Sequence, residues 1–353
     1  MENKNNLKKV SAYRLNKNIH TMKIGIIGLG YWGPNLVRNF ISNPKVASVT
    51  ACDMKDARLK FIMDRYPAVE LSNDHTELLK SNVDAVVIAT PVYTHYKLAN
   101  ECLNAGKHVW VEKPFTASSQ EAEELNELAD KKNLRIFVDH TFIYTGAIRK
   151  IKELVNKDEL GDIIYFDSVR INLGLFQHDV NVIWDLAPHD LSIMNYLIDK
   201  KIYAVSANGI ANYYDFENIA YISVYFEDNC FAHFHVNWTS PVKIRRMIVG
   251  GKKKMLVFDD MENIEKLKVY DSGVQINTNE GIHDALVQYR IGDMFSPKVN
   301  QTEALTLAVN EFITSILENR NPLTDGIDGL NVVKLLEASD RSIKNKGKLI
   351  RIN

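Results

Sequence analysis

Four short segments of this 353-residue chain carry side chains whose types and spacing suit chemistry. The first is Gly28-Leu29-Gly30-Tyr31-Trp32-Gly33, with Asp53 twenty residues after the last glycine. A GxGxxG run alone is a weak signal. Here it follows an apolar strand, opens a helix and precedes an acid at the end of the next strand-like run, which completes a dinucleotide fingerprint. Gly28 permits the tight turn, Gly30 lets the backbone approach a pyrophosphate, and Gly33 lets helix and strand pack closely. The helix N-terminus adds unpaired N–H groups and partial positive charge. Tyr31 and Trp32 sit within the turn and are counted with it. Asp53 can accept bonds from a ribose diol but repels a 2′-phosphate, so NAD is expected in preference to NADP. Lys55 and Arg58 lie just beyond and weaken that preference, leaving NADP open.

The second segment is Ala89-Thr90-Pro91-Val92-Tyr93-Thr94-His95. It follows a continuous apolar run and so falls at the carboxyl edge of a sheet, where open α/β sheets bind ligands. Thr90, Pro91 and His95 are expected to line a cofactor cleft; Thr94 reads equally well as a helix N-cap. The third is Glu112-Lys113-Pro114, at the same edge one strand further on, with Glu112 and Lys113 expected at the cofactor. Pro114 restricts Lys113 to extended conformations. The fourth is Trp184-Asp185-Leu186-Ala187-Pro188-His189-Asp190. On a helix, Asp185 and His189 share a face. A carboxylate there would favour and orient a charged imidazole, a tunable acid/base; a capped helix start with a packed histidine is the plainer alternative. His233, His235 and Asn237 alternate with Phe234, Val236 and Trp238, but no further ligand lies near in sequence. That spacing reads as an exposed or subunit-contact sheet face, and no metal is expected.

The elements around these segments explain their placement. From Lys23 strands and helices alternate: Ile24–Ile27, Pro34–Ser42, Val46–Asp53, Ala57–Arg65, Asp84–Ala89, His95–Ala105, His108–Val111, Ser118–Lys132 and Arg135–Val138. Such alternation predicts a doubly wound parallel sheet. Ser118 suits an N-cap and Gly106 a C-terminal cap. After a helix over Ile148–Asn156 the rhythm changes. A long strand, Asp162–Asn172, and a helix, Ile183–Ile198, lead into strands at Tyr203–Asn212, Ile219–Glu227, Cys230–Trp238, Lys243–Gly250, Lys254–Asp259 and Lys266–Asp271. Helices over Thr302–Leu317 and Leu330–Ile343 close the chain. The expected fold class is therefore α/β: an N-terminal Rossmann domain over residues 22–142, then a C-terminal α+β domain over residues 143–353 with a large, mostly antiparallel open sheet. Residues 1–21 read as a disordered leader. The length agrees with two domains, since single cores stop growing near ~250–300 residues.

Bulk properties narrow the partners. Lys and Arg number 43 and Asp and Glu 44, for a net charge of -1, which points to neither nucleic acid nor an acidic membrane. No apolar run reaches the roughly 18 residues of a spanning helix. Three dispersed cysteines, Cys52, Cys102 and Cys230, without a CxxC, fit reduced packing thiols and a cytoplasmic protein.

Taken together, GLGYWG, the ATP-x-x-T-H run at 89–95, EKP at 112–114 and the D-x-x-x-H pair at 185 and 189 resemble the glucose-fructose oxidoreductase, inositol dehydrogenase and rhizopine-catabolism (Gfo/Idh/MocA) family, from Met22 to the C-terminus. The resemblance implies a hydride transfer between nicotinamide and a secondary alcohol or ketone of a sugar, cyclitol or nucleotide sugar. It implies Lys113 as the catalytic lysine, His189 as the catalytic histidine and Asp185 as a substrate-binding carboxylate. The substrate contacts expected are Lys113, Asp185, His189, Tyr144 and Asn172. It also implies a cis peptide before Pro114, and a homodimer or homotetramer formed through the C-terminal sheet. The stretch His178–Ile193 is similar to the branch associated with nucleotide sugars. Which of Lys113 and His189 is the formal base stays open, as does the direction of reaction. Two alternatives remain beside this reading: an NAD-dependent glycosidase and a non-catalytic dinucleotide-binding module.

Overall fold

The computed structural model describes residues 21–174, 179–213, 215–277 and 286–352. Of the expected leader only Thr21 falls among them, and His178 falls outside. The first sheet is built from β1 (Met22–Ile27), β2 (Val46–Cys52), β3 (Glu70–Ser72), β4 (Ala85–Ile88), β5 (His108–Val111) and β6 (Ile136–Val138). The helices are α1 (Gly33–Ile41), α2 (Asp56–Arg65), α3 (His75–Lys80), α4 (His95–Asn104) and α5 (Ser119–Lys132). The strand order is β3-β2-β1-β4-β5-β6 and every pairing is parallel. The order reverses between β1 and β4, which opens a crevice at their carboxyl ends. All four residues of β4 are buried, as a strand covered on both faces requires.

Sequence periodicity missed β3 and α3. β3 has only three residues, one of them exposed, and α3 has six, held by its Asp74 cap on the Thr76 N–H at 2.7 Å. Neither spans enough residues to display a period. Ser118 does cap α5, and Gly106 follows α4 at φ +75°, both as expected.

The second sheet follows α6 (Gly146–Asn156). It comprises β7 (Ile163–Leu173), then, after α7 (Val182–Leu197), β8 (Ile202–Ile210), β9 (Ile219–Phe226), β10 (Phe231–Asn237), β11 (Thr239–Gly251), β12 (Met255–Asp259), β13 (Leu267–Asn277) and β14 (Leu286–Phe295). The chain closes with α8 (Ala304–Leu317), α9 (Gly326–Lys344) and β15 (Ile350–Arg351). The order is β14-β13-β12-β11-β7-β10-β9-β8-β15, antiparallel except where β10 meets β7. The edge strands β14 and β15 were not legible. β14 exposes Ile291, Met294 and Phe295, and β15 has two residues.

One face of this sheet is covered by α7 and α9, so strands alternate as expected: Ala220, Ile222, Val224 and Phe226 point inward, and Tyr221, Ser223 and Tyr225 outward. Phe234, Val236 and Trp238 are buried, while His233 and His235 stand on the other face, where Tyr221 stacks on both. Among the described residues no three His, Cys, Asp or Glu side chains form a metal-ligand set.

The closing helices explain why no linker composition marks a boundary. Phe312 of α8 packs edge-on against Trp110 and Phe40 of the first sheet's layers, and Trp110 stacks on Phe137 at 4.1 Å. The outer edge of β6 is capped by the Thr324 carbonyl, which accepts the Val138 N–H at 2.9 Å. The late chain therefore packs against both sheets.

Candidate active site

The crevice between β1 and β4 is lined by Gly28, Gly30, Asp53, Arg58, Thr90, Pro91 and residues around them, and encloses about 620 Å³. The three glycines divide the work their spacing implied. Gly28 has φ +99°, and a Cβ there would lie 2.4 Å from the Ala89 carbonyl oxygen. A Cβ on Gly33 would lie 2.3 Å from the Gly28 oxygen. At Gly30 a Cβ would meet only Arg58, at 4.0 Å. Gly28 and Gly33 thus make the turn, and Gly30 keeps an open floor before the α1 N-terminus. These features fit a dinucleotide pyrophosphate.

Asp53 is almost fully buried. It accepts the Leu29 N–H at 2.8 Å, the Lys55 N–H at 2.9 Å and Arg58 Nη1 at 3.0 Å. Burial would raise its pKa, but these bonds outweigh it and hold the carboxyl below its ordinary value. With three of about four acceptor positions used, little of the carboxylate is left for a ribose. Tyr31 is exposed, whereas Trp32 turns inward and donates to Asp139 Oδ2 at 3.4 Å.

His95 does not face the cleft as expected. It is 1% exposed, its Nδ1 lies 2.9 Å from the Pro114 carbonyl and its Nε2 2.8 Å from the Thr90 carbonyl. It therefore ties the loops after β4 and β5 together from behind. Thr94 does not cap α4; its hydroxyl bonds back to the Pro91 carbonyl and to Thr90. Tyr144 is also displaced from its expected role. It is buried, stacks on Phe137 and bonds Thr324 Oγ1 at 3.1 Å, so it packs the junction of the sheets instead of touching a substrate. Asn172 lies half-buried near the end of β7, with its amide beside Gly174.

The peptide between Lys113 and Pro114 is cis, as the resemblance implied. Lys113 Nζ donates to the Asp185 carbonyl at 2.8 Å and lies 3.6 Å from Asp185 Oδ1. Asp185 and its helix are set by two sequence features. Asn181 caps α7 by accepting the Ile183 and Trp184 N–H groups. Pro188, inside the helix, has no N–H for the Trp184 carbonyl and crowds that turn. The second Asp185 oxygen accepts Trp238 Nε1 at 3.0 Å.

No hydrogen bond joins Asp185 to His189 among the described residues. The pairing expected from their spacing is replaced by Lys113 and Trp238 on the acid. His189 instead meets Phe142 edge-on at 4.8 Å, and its Nδ1 is enclosed without a partner. Its pKa is lowered, not raised: burial acts first, then the charges of Lys113, Arg170 and Arg245 and neighbouring His140. The imidazole is therefore neutral near pH 7 and able to accept a proton.

Glu112, expected at the cofactor, is instead half-buried with a carboxyl oxygen enclosed, and sequence reasoning missed its neighbours Asp139 and His140. Glu112 faces Asp139 at the adjacent strand end; burial and the Asp139 charge push Glu112 well above the carboxylate range, so it is held protonated. Its Oε1 has no partner. Asp139 is also raised by burial, and is held by Trp32 and the Thr141 hydroxyl. His140 is buried with both ring nitrogens unpartnered. The carboxyl-edge rule that selected Glu112 and Lys113 applies equally to Asp139 and His140 after β6 and could have found them. Arg170 and Asp190 carry no such signal. Their fully buried pair has three contacts at 2.6–3.0 Å, with Ser168 Oγ on the same acid at 2.9 Å. The Arg170 guanidinium lies 4.6 Å from the Phe142 ring centre, behind His189.

Comparison with known proteins agrees with this architecture. Residues 22–140 match the model described as "Oxidoreductase family, NAD-binding Rossmann fold", and residues 148–257 match the "GFO/IDH/MocA C-terminal domain". The fold and cleft define an NAD-binding oxidoreductase, and the chain belongs to the Gfo/Idh/MocA family. A UDP-N-acetylglucosamine 3-dehydrogenase of Acidithiobacillus ferrooxidans is 25% identical over 319 residues, 88% of this chain and 94% of that protein. The structure of GenD2 from gentamicin A biosynthesis, in complex with NAD, superposes with a TM-score of 0.80 at 19% identity, covering 95% of this chain and 97% of that one. The scyllo-inositol dehydrogenase of Lactobacillus casei, with NAD(H) and scyllo-inositol, gives 0.75 at 21% identity, covering 94% and 99%. At these identities the two structures speak for the fold.

His140 generates a pH prediction. Burial, then the Lys113 charge, lowers its pKa to about 3 from the ordinary 6.5. Below pH 6.5 the unfolded chain takes up a proton that the native one refuses, so stability falls as pH falls, by about 1.4 kcal/mol per unit. Urea unfolding between pH 7.5 and 5 will show His140→Phe with a slope shallower by that amount below pH 6.5. An unchanged slope would mean that native His140 does protonate.

Proposed function

We propose that this protein transfers a hydride between a nicotinamide cofactor and a secondary alcohol or ketone on a sugar, cyclitol or nucleotide sugar. The observation that carries the reading is the meeting of Lys113, Asp185 and a neutral His189 across the two sheets, beside the dinucleotide crevice. Bound nicotinamide would supply the hydride acceptor or donor. The chain's own residues do the rest. Lys113 and Asp185 hold the reacting hydroxyl, and His189 takes its proton when the alcohol is oxidised and returns it when the ketone is reduced. The Lys113 ammonium stabilises developing alkoxide charge. Residues 22–142 serve as the cofactor unit and residues 143–353 as the substrate unit. His189 is the proposed base because it rests neutral and keeps a lone pair for the proton. The relative named for UDP-N-acetylglucosamine supports a nucleotide sugar among the candidates.

Lys113→Ala and His189→Ala are each expected to lose turnover, His189→Ala by roughly 100- to 10,000-fold, while binding NAD nearly as tightly as the parent. The double variant will be little worse than the poorer single one. Rates measured on a panel of sugars and nucleotide sugars, beside NAD titration, test this. Near-normal turnover in both single variants would overturn the assignment. Net formation of NADH distinguishes this reaction from an NAD-dependent glycosidase, which regenerates its cofactor.

For the cofactor, Asp53 favours NAD and Arg58, bonded to it, narrows the margin by offering a cation to a 2′-phosphate. Titration is expected to show NAD bound more tightly than NADP, with Arg58→Ala widening the gap through loss of NADP affinity. Tighter binding of NADP by the parent protein would reject the preference.

The uncovered face of the second sheet, with Tyr221, Tyr225, His233 and His235, is proposed as the contact of a homodimer or homotetramer. Sedimentation at micromolar concentration will show an oligomer for the parent chain and a shift toward monomer for Tyr221→Arg. A monomeric parent chain would refute it. No helix among the described residues is long and apolar enough to cross a membrane.

A further inference from the structure

Arg245 is a cation set at the substrate cleft without full compensation. It lies on β11 directly opposite Arg170 of β7, so both side chains stand on the helix-covered face of the sheet. Like charges directly opposite on one sheet face are destabilising. Arg170 is neutralised by its bidentate pair with Asp190, but Arg245 is not matched in this way. Its one ion-pair partner among the described residues is Asp260, at 3.5 Å, and Asp260 already takes Lys266 Nζ at 3.0 Å. Two cations therefore share one carboxylate. The Arg245 guanidinium lies 5.8 Å from the centre of the Phe142 ring, whose edge contact fixes His189, and its side chain is one-third exposed. The other cation–carboxylate sets nearby, Lys113 with Asp185 and Arg170 with Asp190, are balanced. The surplus positive charge thus sits at Arg245, one ring away from the reacting groups.

We propose that Arg245 recognises an oxyanion on the substrate, so that the sugar acted on carries either a ring carboxylate or a nucleoside-linked diphosphate. The proposal rests on the sugar oxidoreductase reading above and narrows its substrate class to anionic sugars. An arginine suits the task because its planar N–H fork matches the oxygens of either group. The like-charge pair across β7 and β11 is then an arrangement that weakens the free sheet and is relieved when substrate binds.

The test measures binding by calorimetry to NAD-loaded protein, using three probes: N-acetylglucosamine, glucuronic acid and UDP-N-acetylglucosamine. The parent protein is expected to bind at least one charged probe ten times or more tightly than the neutral sugar. Preference for glucuronic acid identifies a carboxylate; preference for the UDP-sugar identifies the diphosphate. Arg245→Met will lose about 10- to 100-fold in affinity for the favoured probe, the scale of one charge-assisted contact, and keep its affinity for NAD. Arg245→Lys will recover part of the loss, and carries the test if the methionine variant fails to hold NAD. Equal binding of the charged probe by parent and Arg245→Met overturns the proposal, as does a parent protein that binds the neutral sugar as well as the charged ones, or none of the three. Absence of NADH formation despite Arg245-dependent binding would instead count against the oxidoreductase reading alone.

Discussion

Lys113 leaves the carboxyl edge of one sheet and reaches the first turns of a helix that packs on the other. Its two contacts with Asp185, one through the carbonyl and one through the carboxylate, join the halves of the molecule at the point where chemistry would occur. Everything else in the cleft is arranged around that reach. The cis bond and Pro114 shape the loop that carries the lysine, and His95 pins the loop to its neighbour from behind. On the far side, the Asn181 cap and Pro188 set the helix turn that receives it, and Trp238 holds the other oxygen of the acid.

The helix that carries His189 is fixed separately by the Arg170–Asp190 pair. Breaking a buried pair by removing one partner typically costs about 3–5 kcal/mol, since the remaining charge stays uncompensated. This pair therefore locks the helix to β7 one residue beyond the histidine. Phe142 fills the space between Arg170 and the imidazole. A half-buried histidine with cations around it is disfavoured as an imidazolium, so it rests neutral with a ring lone pair available. Burial and the neighbouring Asp139 charge raise the pKa of Glu112 against the pull of Lys113 and hold it in its acid form. Low dielectric thus sets opposite protonation states in neighbouring groups: an imidazole without its extra proton and a carboxyl with one.

Much of this was legible from residue order. The glycine spacing, Asp53, the edge positions of Thr90, Pro91 and Lys113, and the alternation of β9 and β10 all follow from local rules, because a βα turn or a pleated strand places side chains by position alone. The elements that escaped notice, β3, α3, β14 and β15, are short elements or sheet edges. His95 is expected in the cleft from its place at the carboxyl edge of the sheet, and Tyr144 as one of the substrate contacts that accompany the family resemblance. Their burial shows that a residue adjacent to a site can equally face the core.

By itself the sequence determined the class of fold and the positions at which it would present a lysine, an acid and a histidine, since strand ends and helix turns are encoded within a few residues. It could not determine their partners. Asp185 and His189 sit four apart on one helix, and local geometry would pair them. Instead Asp185 is taken by Lys113, 72 residues earlier, and by Trp238, 53 residues later. The first contact exists only once the two sheets are packed and the second only once the helix lies on its own sheet, and with them come the burial and the crowd of cations that keep His189 neutral. Ionisation depends on everything within a few ångströms in space, and most of what surrounds this histidine lies far from it along the chain.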